Sequence, residues 1–357
     1  MNSALTLRAG PHALAHIREH GLRAADIDVI PGASGGAKWL VLGGIDRYLF
    51  GEFLQTPRTR LLHAIGSSIG SWRLACLAQR DPVAALVRGH HAYIHEQEYT
   101  PKPPVREITE VSARVLDCLL GDNGVDEILS HPFVRLHVIT AEGRGLAASE
   151  RKLMLSLTLA IAAAANVVSR KALALQLRRA IFHSAGDTTP FGTLADFPTA
   201  HHALTHENLR AALLASGSIP LLLEGVAIAE TPGRVHWDGG VIDYHLDIDF
   251  GAGDGIVLYP HFYSHVIPGW FDKALRWRRA RARNFMRTLL IAPSEEFVAS
   301  LPGGRIPDRR DFQSLSHDVR TGRWQQVLDR SAQLGDELRE LIVTGRIADV
   351  LQPWSPA

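Results

Sequence analysis

Twice in its first quarter the chain passes from a short apolar stretch, through a tight Gly/Ser turn, into a segment of helical periodicity. The first passage runs from residues 27–30 through Gly32-Ala33-Ser34-Gly35-Gly36 into 37–50. The second runs from 60–65 through Gly66-Ser67-Ser68-Ile69-Gly70 into 71–79. Strand, tight turn and helix, repeated, predict a mostly parallel sheet with helices on its faces. Both turns also fit Gly-x-Ser-x-Gly. That pattern puts a serine on a strained strand-to-helix turn, where the flanking residues must be small. The hydroxyl then points out of the sheet at a helix N-terminus, where backbone N–H groups favour a developing negative charge. Two serines, Ser34 and Ser68, are therefore candidate nucleophiles.

Further strands are expected at 4–7, 134–141, 235–237 and 255–259, and helices at 12–20 and 207–215. The apolar residues of 151–182 predict a long helix, or a helical hairpin broken near 166–169, followed by a loop over 184–198. Its apolar run, 153–168, is shorter than the roughly 20 residues of a membrane span, so a buried helix is expected. Trp324, Val327, Leu328, Leu334, Leu338, Leu341 and Ile342 recur at helical spacing. They predict a C-terminal helical extension over 301–357, packed on a domain formed by 1–300.

With 38 Lys+Arg against 37 Asp+Glu, the net charge is +1, and nothing in that balance calls for nucleic acid. Only two cysteines are present, so no disulfide framework or Cys-rich metal site is readable. Residues 1–23 carry no secretion pattern, which gives a cytoplasmic expectation. The 18 histidines include three pairs spaced i, i+4: His91 and His95, His202 and His206, His261 and His265. None has the intervening Glu of a metalloprotease helix, so no metal is expected. Gly32–Gly36 lacks Gly-Lys-Ser/Thr and is not a phosphate loop.

Trp237-Asp238-Gly239-Gly240-Val241 supplies an acid in a tight turn after a short strand. Taken together, Gly35-Gly36-Ala37-Lys38, the Ser68 turn and Asp238-Gly239-Gly240 resemble the ordered motifs of patatin-like phospholipases. Ala215-Ser216-Gly217-Ser218-Ile219-Pro220 is similar to a further segment of that family. The resemblance covers about 30–243. It departs at Ser34 and Trp39, where the family usually has glycine. It implies a three-layer α/β/α patatin-like fold and cofactor-free hydrolysis of a phospholipid or other fatty acyl ester. In that alignment Ser68 is the nucleophile, with Gly66 and Gly70 shaping its turn. Asp238 is the general base. The backbone of Gly35, Gly36 and Ala37 forms the oxyanion loop, with Lys38 adding positive charge. Ser34 remains the alternative nucleophile, because its turn has the same pattern. A histidine, His245 or His261, would complete a triad if the order were that of α/β-hydrolases. A protein of this fold could also bind lipid without catalysis. The stretch 276–287, with six arginines among Trp277, Phe285 and Met286, reads as a solvated helix face or as a contact for anionic lipid head groups.

Overall fold

The computed structural model describes residues 3–354 apart from 185, 187 and 188, which belong to the loop expected over 184–198. The protein is an α/β structure built on one mostly parallel sheet. Its strands are β1 Leu5–Ala9, β2 Ile27–Gly32, β3 Leu62–Ser67, β4 Val134–Gly143, β5 Leu177–Ser184, β6 Thr199–Leu204, β7 His236–Asp238, β8 Ile256–Pro260, β9 Thr288–Pro293 and β10 Gln352–Pro353. They lie in the order β10-β1-β9-β8-β2-β3-β4-β5-β6, and β7 pairs with β4. From β9 to β4 every neighbouring pair is parallel. Every residue of β2, β8 and β9 is buried, so this block is covered on both faces. Buried-on-both-faces strands of this kind are built from near-continuous apolar runs, as Leu289-Leu290-Ile291-Ala292 shows.

The register of β4 brings the two sequence motifs together. Along one edge of β4, β3 pairs as far as Ser67 opposite Ile139. The chain then turns away into the helix Ile69–Leu77. The vacated edge is taken by β7, whose Asp238 pairs with the next residue, Thr140. Ser68 and Asp238 are thus neighbours across the end of β3.

Several expectations are corrected. The helix expected over 151–182 is a helix only at Lys152–Val168, followed by a 3₁₀ segment Arg170–Leu175 and then by β5. Ser169 adopts an extended backbone (φ −155°, ψ 126°) and ends the helix. Antiparallel pairing of β5 with β4 overrides the helical periodicity. The helix Lys152–Val168 is not wholly buried either, since Leu153 and Val168 are exposed. The helix expected over 37–50 is a 3₁₀ segment, Gly36–Leu42, joined to a helix, Gly43–Gly51. The N–H of Gly44 is taken by Ser331 Oγ at 2.8 Å, so a new helix starts there. The 276–287 stretch is irregular apart from a short 3₁₀ turn, Ala282–Phe285. Phe285 is in the core, and Arg278, Arg281 and Arg287 are paired with Asp272, Asp247 and Asp254.

The C-terminal segment is built on two longer helices, His317–Arg330 and Ala332–Val343, with Ser331 between them fully buried. Both pack on Gly43–Gly51. The chain then returns to the sheet, where Trp354 N–H donates to the Ala9 carbonyl at 2.8 Å. No helix among the described residues is long and apolar enough to cross a membrane.

Candidate active site

Ser68 sits between the end of β3 and the first turn of Ile69–Leu77, with φ 56° and ψ −137°. A non-glycine residue rarely holds this left-handed backbone, which costs on the order of 1–3 kcal/mol and persists only where the surroundings enforce it. Here they do. Ser71 N–H and Oγ both donate to the Ser68 carbonyl, at 3.0 and 2.7 Å. The Ser68 N–H donates to Ser216 Oγ at 2.9 Å, and Ser216 Oγ donates in turn to the Ile139 carbonyl at 2.7 Å. A Cβ on Gly70 would lie 2.1 Å from the Gly32 carbonyl oxygen, and one on Gly66 would meet the Ser71 nitrogen at 2.6 Å. The Gly-x-Ser-x-Gly spacing is therefore demanded by packing of the helix against β2 and β3.

The Ser68 hydroxyl donates to Asp238 Oδ2 at 2.7 Å. The other carboxylate oxygen accepts the Gly240 N–H at 2.7 Å, which fixes the acid on its own turn. The Asp238 N–H donates to the Ser218 carbonyl at 2.8 Å, tying the acid to the segment that resembles the family. Asp238 is buried, and burial pushes its carboxyl up to about 6. The Ser68 and Gly240 hydrogen bonds and the cations Lys273 and Arg309 pull the other way. Behind the turn, Arg179 Nε and Nη2 hold Asp243 at 2.6 and 2.8 Å, with both residues fully buried. Ser67 Oγ donates to the Asp243 carbonyl at 2.7 Å, so the two motifs share a rigid backing.

Ser34 lines the same cavity as Ser68, but its Oγ lies 2.7 Å from Ser67 Oγ and not beside a base. A Cβ on Gly240 would come within 2.3 Å of Ser34 Oγ, so the first Gly/Ser turn packs directly on the Asp-Gly-Gly turn. Gly35 and Gly36 also line the cavity, and Gly36 has a left-handed backbone (φ 54°). Ala37 lines a neighbouring, larger cavity. Lys38 reaches the Ser68 cavity with its charge already matched: Nζ lies 3.1 Å from Asp308 Oδ2.

His245 and His261 are both buried beside one another, with ring centroids 4.4 Å apart. Their Nδ1 atoms accept the N–H groups of Ile267 and Tyr263. Neither lines the cavity around Ser68. No group of three or more potential metal ligands occurs among the described residues. Of the three i, i+4 histidine pairs, His202 lies on β6 and His261 and His265 lie in a loop after β8. Only His91 and His95 share a helix, with ring centroids 4.9 Å apart.

Six further cavity residues carried no sequence signal: Tyr244, Trp270, Lys273, Asp308, Arg309 and Arg310. They lie outside recognisable motifs and are gathered only by the fold. Lys273 is exposed as a whole residue, yet its ammonium lies 3.8 Å from the Tyr244 ring centroid. Desolvation there, with Lys38 and Arg309 nearby, lowers its pKa to about 7. Arg309 has no carboxylate partner among the described residues, whereas Asp308 is held by both Lys38 and Arg310. The Ser68 cavity is small, about 220 Å³. It shares Gly36, Ser68, Ile219, Trp270 and Arg309 with a second cavity of about 930 Å³, whose walls include Ile69, Trp72, Val115, Leu222 and Phe312. The small chamber holding Ser68 and Asp238 thus opens on a larger one of mixed polar and apolar lining.

No protein-family model matches the chain, and no curated protein matches it either.

Proposed function

We propose that the protein is a serine lipid acyl hydrolase of the patatin-like phospholipase type, on the corresponding three-layer α/β/α fold. The observation that carries this reading is the 2.7 Å hydrogen bond from Ser68 Oγ to a buried Asp238, at a strand-to-helix turn where no histidine among the described residues lines the smaller cavity. Ser68 Oγ attacks the ester carbonyl carbon as its proton passes to Asp238. Burial suits the acid to that task, because an ordinary aspartate is too weak a base for a serine hydroxyl. The resulting oxyanion is held by backbone N–H groups of the Gly35-Gly36-Ala37 loop. Collapse expels the alcohol, which takes the proton back from Asp238. Water, activated by the same carboxylate, then releases the acid and restores Ser68. No metal or cofactor enters these steps.

The large cavity has room for a fatty acyl chain, and Ile69, Trp72, Val115, Leu222 and Phe312 offer such a chain an apolar wall. A phospholipid, lysophospholipid or other fatty acyl ester is the proposed substrate. The test is labelling with a fluorophosphonate, followed by mass spectrometry of the adduct. The adduct is expected on Ser68. Ser68→Ala abolishes labelling and esterase turnover, and Asp238→Asn nearly does so. Ser34→Ala keeps labelling and loses at most about 10²–10³ in rate, the scale of a lost oxyanion-loop contact. An adduct on Ser34 would overturn the assignment. An unreactive wild-type protein would favour lipid binding without catalysis.

A further inference from the structure

The helix Lys152–Val168 contains no charged residue after Lys152 and is apolar almost all round. A helix of that kind is expected in a protein core or in lipid. Its inner face is in the core: Leu155, Thr158, Ala162 and Asn166 are buried. Its outer face is not. Leu153 is 74% exposed, and Leu157, Ile161, Val167 and Val168 are exposed too. At 3.6 residues per turn these five side chains fall within an arc of about 120°, opposite the buried set. Eight of the thirteen exposed large hydrophobic side chains lie between Leu146 and Leu175 or are Trp277. They form one patch, because the 3₁₀ segments carrying Leu146 and Leu175 pack on this helix and Arg278 Nη2 ties the Trp277 loop to the Asn166 carbonyl at 2.6 Å.

Cations border the patch at both ends. Arg151 and Lys152 stand at the start of the helix, with Lys171, Arg276 and Arg279 around its end, all exposed. None has a carboxylate partner among the described residues, whereas Arg278, in their midst, pairs with Asp272. Glu150, the adjacent acid, is engaged by the Gly225 N–H at 3.0 Å. An apolar strip about 25 Å long, uninterrupted by charge and ended by unpaired cations, matches the boundary between acyl chains and anionic head groups. The strip also borders the Ser68 cavity. The segment Trp270–Ala274 packs on the helix, and its Trp270 and Lys273 line the catalytic chamber.

We propose that the outer face of Lys152–Val168, extended by Trp277, seats the protein on an anionic lipid surface with the Ser68 cavity beside the contact. The full-length chain is tested by co-sedimentation with vesicles of phosphatidylcholine alone or mixed equally with phosphatidylglycerol. Wild-type protein and Ser68→Ala both sediment with the mixed vesicles, and less so with the neutral ones or in high salt. Leu157→Gln with Ile161→Gln lowers partitioning about tenfold or more, through loss of buried aliphatic area. Lys152→Glu with Lys171→Glu removes the preference for the anionic vesicles. Hydrolysis of a water-soluble p-nitrophenyl ester is unchanged in both pairs, which shows that they fold. Wild-type protein that ignores the mixed vesicles overturns the proposal, as does unaltered binding by the glutamine pair. A wild-type dimer in light scattering that the glutamine pair converts to monomer, without vesicle binding, assigns the face to a second copy and overturns it as well. If wild-type protein binds vesicles yet fails to hydrolyse any ester, the acyl-hydrolase reading falls and the docking surface stands.

Discussion

Gly70 and Gly32 touch backbone to backbone: a Cβ built on either would lie within 2.5 Å of the other's carbonyl oxygen. The Ser68 turn therefore leans on the preceding Gly/Ser turn with no room for a methyl group. Gly70→Ala is expected to cost about 3 kcal/mol, at the upper end of overpacking penalties, because backbone must move on one side or the other. Thermal denaturation reads the loss. The fluorophosphonate labelling rate should fall with it at temperatures where the variant stays folded, since the shift displaces Ser68.

Asp238 must be ionised to accept the Ser68 proton. Its carboxyl is pushed up to about 6 by burial, so kcat/KM should rise with pH through about 6 and level off above. Lys273 is among the cations that hold this value down. Lys273→Met should therefore move the rising limb to higher pH. A limb that stays in place would show that Lys273 does not act on the carboxylate.

The same burial makes Asp238 costly to the fold. Its folded pKa lies above the unfolded value of 3.8, so the folded state holds its proton more tightly. The stabilisation is fully present below pH 3.8 and is lost as pH rises to about 6. Above that the ionised carboxylate costs up to about 3 kcal/mol relative to a neutral group. Asp238→Asn is accordingly expected to melt no lower than wild type at pH 8, while losing nearly all turnover. Urea unfolding across this range checks the sign.

Arg73, one turn beyond Ser68, holds Asp46 through two hydrogen bonds of 2.6 Å, with both side chains buried. Removing one partner leaves an unpaired buried charge, so Asp46→Ala or Arg73→Ala should cost about 3–5 kcal/mol. The double replacement Asp46→Leu with Arg73→Met should recover most of that loss. Chemical denaturation of the three variants completes the cycle.

Within the parallel block β2 and β3 were legible because each runs into a Gly/Ser turn with its own signature, whereas β9, which ends at Pro293 with no such turn, was not expected. The Ser68 and Asp238 motifs were legible for the same reason, since their small residues answer to local backbone constraints. β5 was not. Arg178 and Arg179 read as polar positions of a helix, whereas they point to Glu142 and Asp243, acids that are remote in the chain. No local periodicity records a partner so distant. Ile181 and Phe182, together with the break at Ser169, were the available signs of a strand. Lys38 was legible as a cation near the turn, yet its counter-ion, Asp308, lies 270 residues later. Pairing of this kind decides whether a charge is free to act, and spacing does not encode it.

That Lys38–Asp308 pair sets an order of events in the life of the chain. Ser68 and Asp238 are both made by residue 238, but the cavity wall that includes Asp308, Arg309 and Arg310 is not. Until that wall is synthesised and folded back, Lys38 lacks its counter-ion. A chain truncated before residue 308 would therefore keep Ser68 and Asp238 but lose one wall of the cavity they share.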